Sequence, residues 1–450
     1  MPEADAVITD ARQLVEYFAA GSKAKADWLI GTEHEKFAFR ISTLRPVAYD
    51  EPKGLRDLFQ VLKIFGWREI MEAGHVIALQ RGGAQISLEP GGQTELAGAP
   101  VRNLHETAAE IDQHLEELRE VSTLLDIGFM GIGFHPAWKR EDVPWMPKQR
   151  YDIMRAYMPK RGKLGHDMMQ RTCTTQVNLD YADEADMVKK MRVAMALQPI
   201  ATALFAASPF LEGRPAGYQS YRMQVWQDTD PDRSGFLPFV FDDGFGFERY
   251  RDYALDVPMY FVRRDDKYID ASGQSFRDFM KGKLPALPGE MPTITDWQDH
   301  LSTLFPDVRL KQYLEMRGAD CGTAESILAL PSFWTGILYD ETACDTAWQL
   351  VQEWTIEERL TLQRDVPKQG LKLEFRGQPL SAIAHQAVKL AQQGLRRRAM
   401  RLHGGADETR YLDGLFMMTE SATSYADELL MRFEHQWSGD IKGAFTDCRL

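Results

Sequence analysis

Four glutamates stand in two short stretches whose spacing favours cation chemistry. In GTEHEKFAFR, Glu33 and Glu35 alternate with His34 and Lys36. On an extended chain both carboxylates face the same way, about 7 Å apart. Like charges so close repel unless water solvates them or a hard cation neutralises them, and an all-oxygen donor set suits Mg²⁺ or Mn²⁺. In SLEPGGQTEL, Glu89 ends a strand, on the same side as Gln85 and Ser87, and Glu95 follows the Pro-Gly-Gly turn. Glu315, in VRLKQYLEMRGAD, adds a fifth acid on the strand face that carries Arg309, Lys311 and Arg317. Five acids on three strand segments, with cations beside them, fit either a site where metal ions hold phosphate or a solvated sheet edge.

Basic residues offer further candidates. Lys148, Arg150, Arg155, Lys160, Arg161 and Lys163 crowd into MPKQRYDIMRAYMPKRGKLG, which reads as a solvated loop or as a mobile lid over anions. Arg222, in YRMQVW, alternates with Gln224 and Trp226 as on a strand, and its fork could bind a carboxylate bidentately or form a surface ion pair. RGG and EPGG match neither GxxxxGK[ST] nor GxGxxG, so no Walker or dinucleotide loop is supported. Cys173 lies on the apolar face of TCTTQVNLDY with no histidine close in sequence, so it reads as core rather than nucleophile.

These residues need strands to aim them. Alternation predicts strands over Trp28–Arg40, Val76–Gln80, Ala84–Glu89, Phe129–Phe134, Cys173–Asp180, Tyr221–Trp226 and Val308–Arg317. Helical periodicity predicts helices over Asp10–Ala20, Leu55–Phe65, Asn103–Leu125 and Ala185–Ala207, the last kinked at Pro199. Three long helices follow, over Ala347–Arg364, Leu380–Leu402 and Leu412–Gln436, and Phe236–Phe261 gives no clear pattern. Without repeats or low-complexity linkers, the 450 residues read as one α+β unit, 1–450, with a helical C-terminal part from about 345.

Composition narrows the partners. With 44% hydrophobic and 26% charged residues the chain is built to fold rather than stay disordered. A net charge of −13 repels phosphate backbones, so nucleic acid is not expected. The apolar run Ile200–Phe210 is shorter than the ~20 residues of a membrane helix. An N-terminus carrying acids where a leader would carry Lys or Arg leads to the expectation of a cytosolic protein. The four cysteines, Cys173, Cys321, Cys344 and Cys448, show no metal-ligand spacing, so neither a zinc site nor a disulfide scaffold is expected.

GTEHEKFAFR, SLEPGGQTELAGAP, GIGFHPAWKREDVPWMPKQRYDIMRAYMP, RTCTTQVNLDY, FDDGFGFERYRDYALDVPMYF and YLEMRGAD together resemble glutamate-cysteine ligase of the plant and proteobacterial type, from about Trp28 to Trp334. The resemblance implies a glutamine synthetase-like fold, a curved and mostly antiparallel sheet forming a funnel for metals and substrates. It implies that ATP phosphorylates the γ-carboxylate of glutamate and that the amine of cysteine captures the γ-glutamyl phosphate. By motif, Glu33, Glu35, Glu89, Glu95 and Glu315 look like ligands of Mg²⁺, with Mn²⁺ as the alternative. Arg317 looks suited to the transferred phosphoryl group, beside Arg309 and Lys311 at the nucleotide. Arg150 and Arg222 resemble arginines that contact substrate carboxylates, Arg150 close enough to the chemistry to count as catalytic, and Thr174, Gln176 and Asn178 border the pocket. The rivals are a related ligase with another amine acceptor and a silent homologue, which the presence of all five glutamates disfavours. Partners are then small molecules, glutamate, cysteine and ATP, bound by a monomer or homodimer. Plant members carry two regulatory cysteine pairs where this chain has Ala108, Ala271, Ala286 and Leu328, so no such redox switch is expected.

Overall fold

The computed structural model describes residues 6–265, 267–402 and 404–450; the first five residues, on which part of the leader reading rests, lie outside them. Nine strands make one sheet: β1 (Ile30–Arg40), β2 (Arg68–Glu72), β3 (His75–Arg81), β4 (Ala84–Leu88), β5 (Thr94–Ala97), β6 (Ile127–Met130), β7 (Thr174–Leu179), β8 (Val308–Leu310) and β9 (Leu314–Asp320). Their order is β8-β9-β7-β1-β5-β4-β3-β2, with β6 paired to the far end of β1. Every pairing in this sheet is antiparallel. Strand β1 is the axis because its period-2 pattern has something to bury on both sides: Thr32, His34 and Lys36 point into the packed face, while Glu33 and Glu35 stay half-buried on the other.

Seven helices matter for the site: α1 (Leu104–Leu125), α2 (Gln149–Tyr157), α3 (Gly165–Arg171), α4 (Glu184–Leu204), α5 (Tyr221–Trp226), α6 (Ala324–Leu338) and α7 (Leu380–Arg398). Asn103 caps α1 by accepting from Glu106 N at 3.0 Å. The spacing of Leu104, Ile111, Leu115, Leu118, Val121 and Leu125 then buries one stripe of α1. Helix α4 runs unbroken through Pro199 and is buried from Met191 almost to its end, apart from Arg192. It backs β9 so closely that a Cβ on Gly318 would sit 2.2 Å from Gln198 Nε2 and would have to displace that amide. Each fully buried aliphatic side chain such as Leu197 or Ile200 contributes about 1.5–3 kcal/mol, so the strand that carries Glu315 and Arg317 rests on a rigid support.

Several expectations are corrected here. Tyr221–Trp226 is helix α5, not a strand: Ser220 accepts from Met223 N at 3.3 Å and starts a turn that six alternating residues do not reveal. The stretch Ala347–Arg364 is two helices, Glu341–Val351 and Ile356–Gln369, divided where Thr355 and Glu358 form a capping box. Leu412–Gln436 breaks in the same way at Ser424 and Asp427. The basic segment 148–163 is not one loop; it contains α2. Phe236–Phe261 holds a helix, Phe247–Asp256.

Candidate active site

Cross-strand register assembles the acids. Glu35 lies directly opposite Glu95, and Glu95 opposite Ser87. Glu33 lies opposite Gln176, Asn178 opposite Glu315, and Glu315 opposite Arg309. Between Met316 and Ala319 strand β9 bulges against β7, which places Arg317 beside Gln176. One face of the sheet therefore presents acids at its centre and cations at one margin.

That face floors an open cleft of about 1140 Å³, solvent included, lined by Glu33, Glu35, Glu89 and Glu95 on one side and Arg309, Lys311 and Arg317 on the other. Like charges opposite one another destabilise a sheet, and Glu33, Glu35 and Glu95 show it. Burial first, then Glu89 beside it, pushes the Glu35 carboxyl up to about 8, against the pull of Arg222 and the Thr174 N–H. Burial and then Glu89, Glu33 and Glu35 push Glu95 well above the usual carboxylate range, and burial followed by Glu315 raises Glu33. Among the described residues none of these four makes an ion pair. Neutral donors hold them instead: Asn178 Nδ2 to Glu33 at 2.7 Å, Thr174 N to Glu35 at 3.0 Å, and Ser87 Oγ to Glu95 at 3.1 Å.

Glu315 behaves differently. Arg309 donates Nε to one of its oxygens at 2.6 Å and Nη2 to the other at 2.8 Å, and Arg317 Nη1 donates at 2.8 Å. Burial opposes its charge, yet Arg309, Lys311 and Arg317 hold its carboxyl well below the usual range. It does not line the cleft. In the structure it anchors two guanidiniums, whereas the other four glutamates make no ion pair among the described residues.

A narrower compartment adjoins the first and shares Glu35, Glu89, Arg150, Phe305 and Arg317 with it. Arg222, Thr174, Gln93, Met168, Met169 and Trp226 add its remaining character, mixed polar and apolar. Helix α5 brings in Arg222, which is buried, with Nη2 donating to the Arg317 carbonyl at 3.1 Å and Nη1 4.0 Å from Asp320. Asp320 is itself fixed by Ser208, Ser220 and the Ala207 N–H. Arg150, from α2, reaches both compartments. Thr174 turns its hydroxyl to the Ala319 carbonyl at 2.7 Å and offers its backbone to Glu35. Gln176 lines the wide cleft, whereas Asn178 serves Glu33 and lines neither compartment.

Arg155, Lys160, Arg161 and Lys163 line neither compartment, and Lys148 alone joins Arg150 from that cluster. Sequence reasoning missed Gln93, Met168, Met169, Phe305, Tyr268 and Glu72, which reach the site from loops, short helices and a hairpin. They are ordinary residues spread over five segments, with Met168 and Met169 sharing α3, and none carries a spacing signal. All four cysteines are free and buried. Cys321 N donates to the Cys173 carbonyl at 3.1 Å, which makes these two neighbours, yet burial raises both thiols, Cys321 to about 12.

Residues 29–447 match the model of glutamate-cysteine ligase family 2. The chain is 52% identical to the chloroplastic glutamate–cysteine ligase of Brassica juncea, over 96% of this chain and 83% of that one. It is 52% identical to that of Nicotiana tabacum, over 99% and 85%. Its fold is shared with a crystal structure of glutamate–cysteine ligase from Francisella tularensis in complex with AMP, at a TM-score of 0.55 and 11% identity, over 95% of this chain and 88% of that one. The sheet is thus of the glutamine synthetase-like kind. The cytosolic expectation does not stand: these plant relatives are named chloroplastic, and the acidic residues of the N-terminus carry no placement. No described helix is long and apolar enough to cross a membrane. With a family match that spans nearly the whole chain and relatives identical at half of its positions, the chain belongs to glutamate-cysteine ligase family 2.

Proposed function

We propose that the wide compartment takes the phosphates of ATP and the narrow one takes glutamate, with the transferred phosphoryl group where the two meet. The chain is an ATP-dependent ligase that joins glutamate to cysteine and makes γ-glutamylcysteine, the first step of glutathione biosynthesis. In the reading offered here a γ-carboxylate oxygen of glutamate bonds to the γ-phosphorus as the bridging bond to ADP breaks. The cysteine amine then bonds to the acyl carbon, phosphate departs with the C–O electrons, and the amine gives up a proton.

The observation that carries this is the register itself, which sets Glu35 against Glu95 in a cleft whose opposite wall is Arg309, Lys311 and Arg317. Arg317, on the boundary, is suited to the charge that develops on the transferred group. Arg222 and Arg150 offer planar forks to the carboxylates of glutamate. Glu33, Glu35, Glu89 and Glu95 fit a divalent cation as a donor set: oxygen only, mutually repelling and without a basic partner among the described residues. As the side chains stand, no three such groups among the described residues converge on one point, so closure on the ion would accompany binding. Mg²⁺, or Mn²⁺ in its place, would supply charge neutralisation for the phosphates there. Walls drawn from residue 33 to residue 317 support reading the chain as one catalytic unit.

Phosphate release from ATP tests the proposal. It is expected to require glutamate, and to rise far more with cysteine than with other amines. Release independent of glutamate, or a stronger response to another amine, would contradict it.

A further inference from the structure

A third cleft, of about 850 Å³, shares no lining residue with the two compartments of the active site. It opens where the chain enters β1 and where α6 and α7 end. Its walls are Lys25, Arg102, Arg397 and Arg398 against a single carboxylate, Asp340, in a chain whose net charge is −13.

Part of this charge has a local explanation. Two helix C-termini meet here, and each carries partial negative charge that a cation answers. Arg397 answers in this way and forms a two-pronged pair with Asp340, Nη2 at 2.7 Å and Nε at 3.0 Å. Arg398 reaches Glu408 at 3.5 Å and the Arg102 carbonyl at 3.4 Å. Lys25 and Arg102 are left over. Among the described residues neither side chain makes an ion pair or a hydrogen bond; the Lys25 ammonium feels the Asp340 carboxylate across the cleft and lies 6.0 Å from the Trp28 ring.

The floor is aromatic and held in place. Trp28 and Tyr339 lie with ring centroids 4.8 Å apart and planes tilted by 35°. Lys190 braces Trp28 with its ammonium 3.4 Å from the ring centroid. Trp28 Nε1 donates to the Lys23 carbonyl at 3.0 Å. The Tyr339 hydroxyl accepts from Asp180 N at 2.7 Å and donates to the Leu29 carbonyl. Surplus positive charge over a rigid aromatic floor is a surface built for a small anion.

We propose that this cleft is a second small-molecule site of the chain, for a phosphate-bearing anion, with Lys25 and Arg102 supplying the free charge. Inorganic pyrophosphate titrated calorimetrically into the full chain without divalent cation is the probe. Binding is expected in the wild type, and it should weaken at least about tenfold in Lys25→Glu/Arg102→Glu, equal to about 1.4 kcal/mol, with ligase turnover unchanged. Arg309→Ala/Arg317→Ala, which strips two cations from the active site instead, is expected to keep this binding. Should charge reversal impair folding, Lys25→Gln/Arg102→Gln is expected to show the same loss with a native circular dichroism spectrum. No binding to the wild type, equal binding in the charge-reversed or neutral variants, or loss only in the Arg309/Arg317 variant would overturn the assignment.

Discussion

Arg309 and Glu315 face each other across two antiparallel strands, and the guanidinium takes both carboxylate oxygens, at 2.6 and 2.8 Å. Because Arg317 shares the same carboxylate at 2.8 Å, one acid fixes two cations at the cleft wall. Removing one partner of a buried ion pair leaves the rest uncompensated, at a cost of about 3–5 kcal/mol. Glu315→Gln is therefore expected to lower both thermal stability and kcat, the latter by about a hundredfold or more, as both guanidiniums lose their aim. Steady-state kinetics with a parallel melting curve checks this, and wild-type kcat in a folded variant would contradict it.

Arg222 and Arg317 touch, through the Arg317 carbonyl, but face different tasks. A lysine keeps the charge and loses the planar fork. Arg222→Lys is expected to raise KM for glutamate roughly tenfold with a smaller change in kcat, and Arg317→Lys to lower kcat with little change in that KM. Measured kcat and KM for both variants decide the matter, and equal effects would remove the division of roles.

His300 gives a pH dependence of known sign. It is buried on the helix Ile294–Ser302, with Nε2 2.8 Å from the Ala254 carbonyl, and burial pulls its pKa down to about 4. Between pH 6.5 and 4 the unfolded chain binds a proton there that the folded chain does not, so the stability present above 6.5 is lost as pH falls through 4. The slope is about 1.4 kcal/mol per pH unit for the single group. The same helix ends at Ser302, whose carbonyl accepts from Arg309 at 3.0 Å, so acid loosens a support of the cleft. Urea unfolding at pH 6.5 and 4.5 is expected to show a smaller stability loss in His300→Gln than in the wild type; an equal loss would contradict this.

The parts of the site that strands carry were legible in the sequence, because an alternating strand states which side chains share a face. Glu33 with Glu35, and Glu315 with Arg317, follow from period 2 alone; Arg309 does not, because Val308–Arg317 is a hairpin of β8 and β9 and not the single strand that alternation predicts. What sequence does not state is register. Nothing in GTEHEKF or SLEPGGQTEL says that Glu35 meets Glu95, or that a bulge between Met316 and Ala319 sets Arg317 beside Gln176. Glu315 shows the same gap: its type suits a metal ligand, and only register shows that Arg309 and Arg317 also take its carboxylate. YRMQVW is too short to separate strand alternation from a single capped turn, so Arg222 reads as a strand residue in the sequence and sits on α5 in the structure. The breaks at Thr355 and Ser424 were readable, since each begins a capping box, but long apolar periodicity on either side masked them.

The division between four free glutamates and one anchored glutamate is tested most directly by counting bound Mn²⁺. Electron paramagnetic resonance with a non-hydrolysable ATP analogue gives the number of ions held per chain. Glu35→Gln is expected to lose at least one ion, or to weaken its binding about tenfold or more, whereas Glu315→Gln is expected to keep the wild-type number. The same Mn²⁺ count and affinity in Glu35→Gln as in the wild type, or loss of an ion in Glu315→Gln alone, would contradict the account.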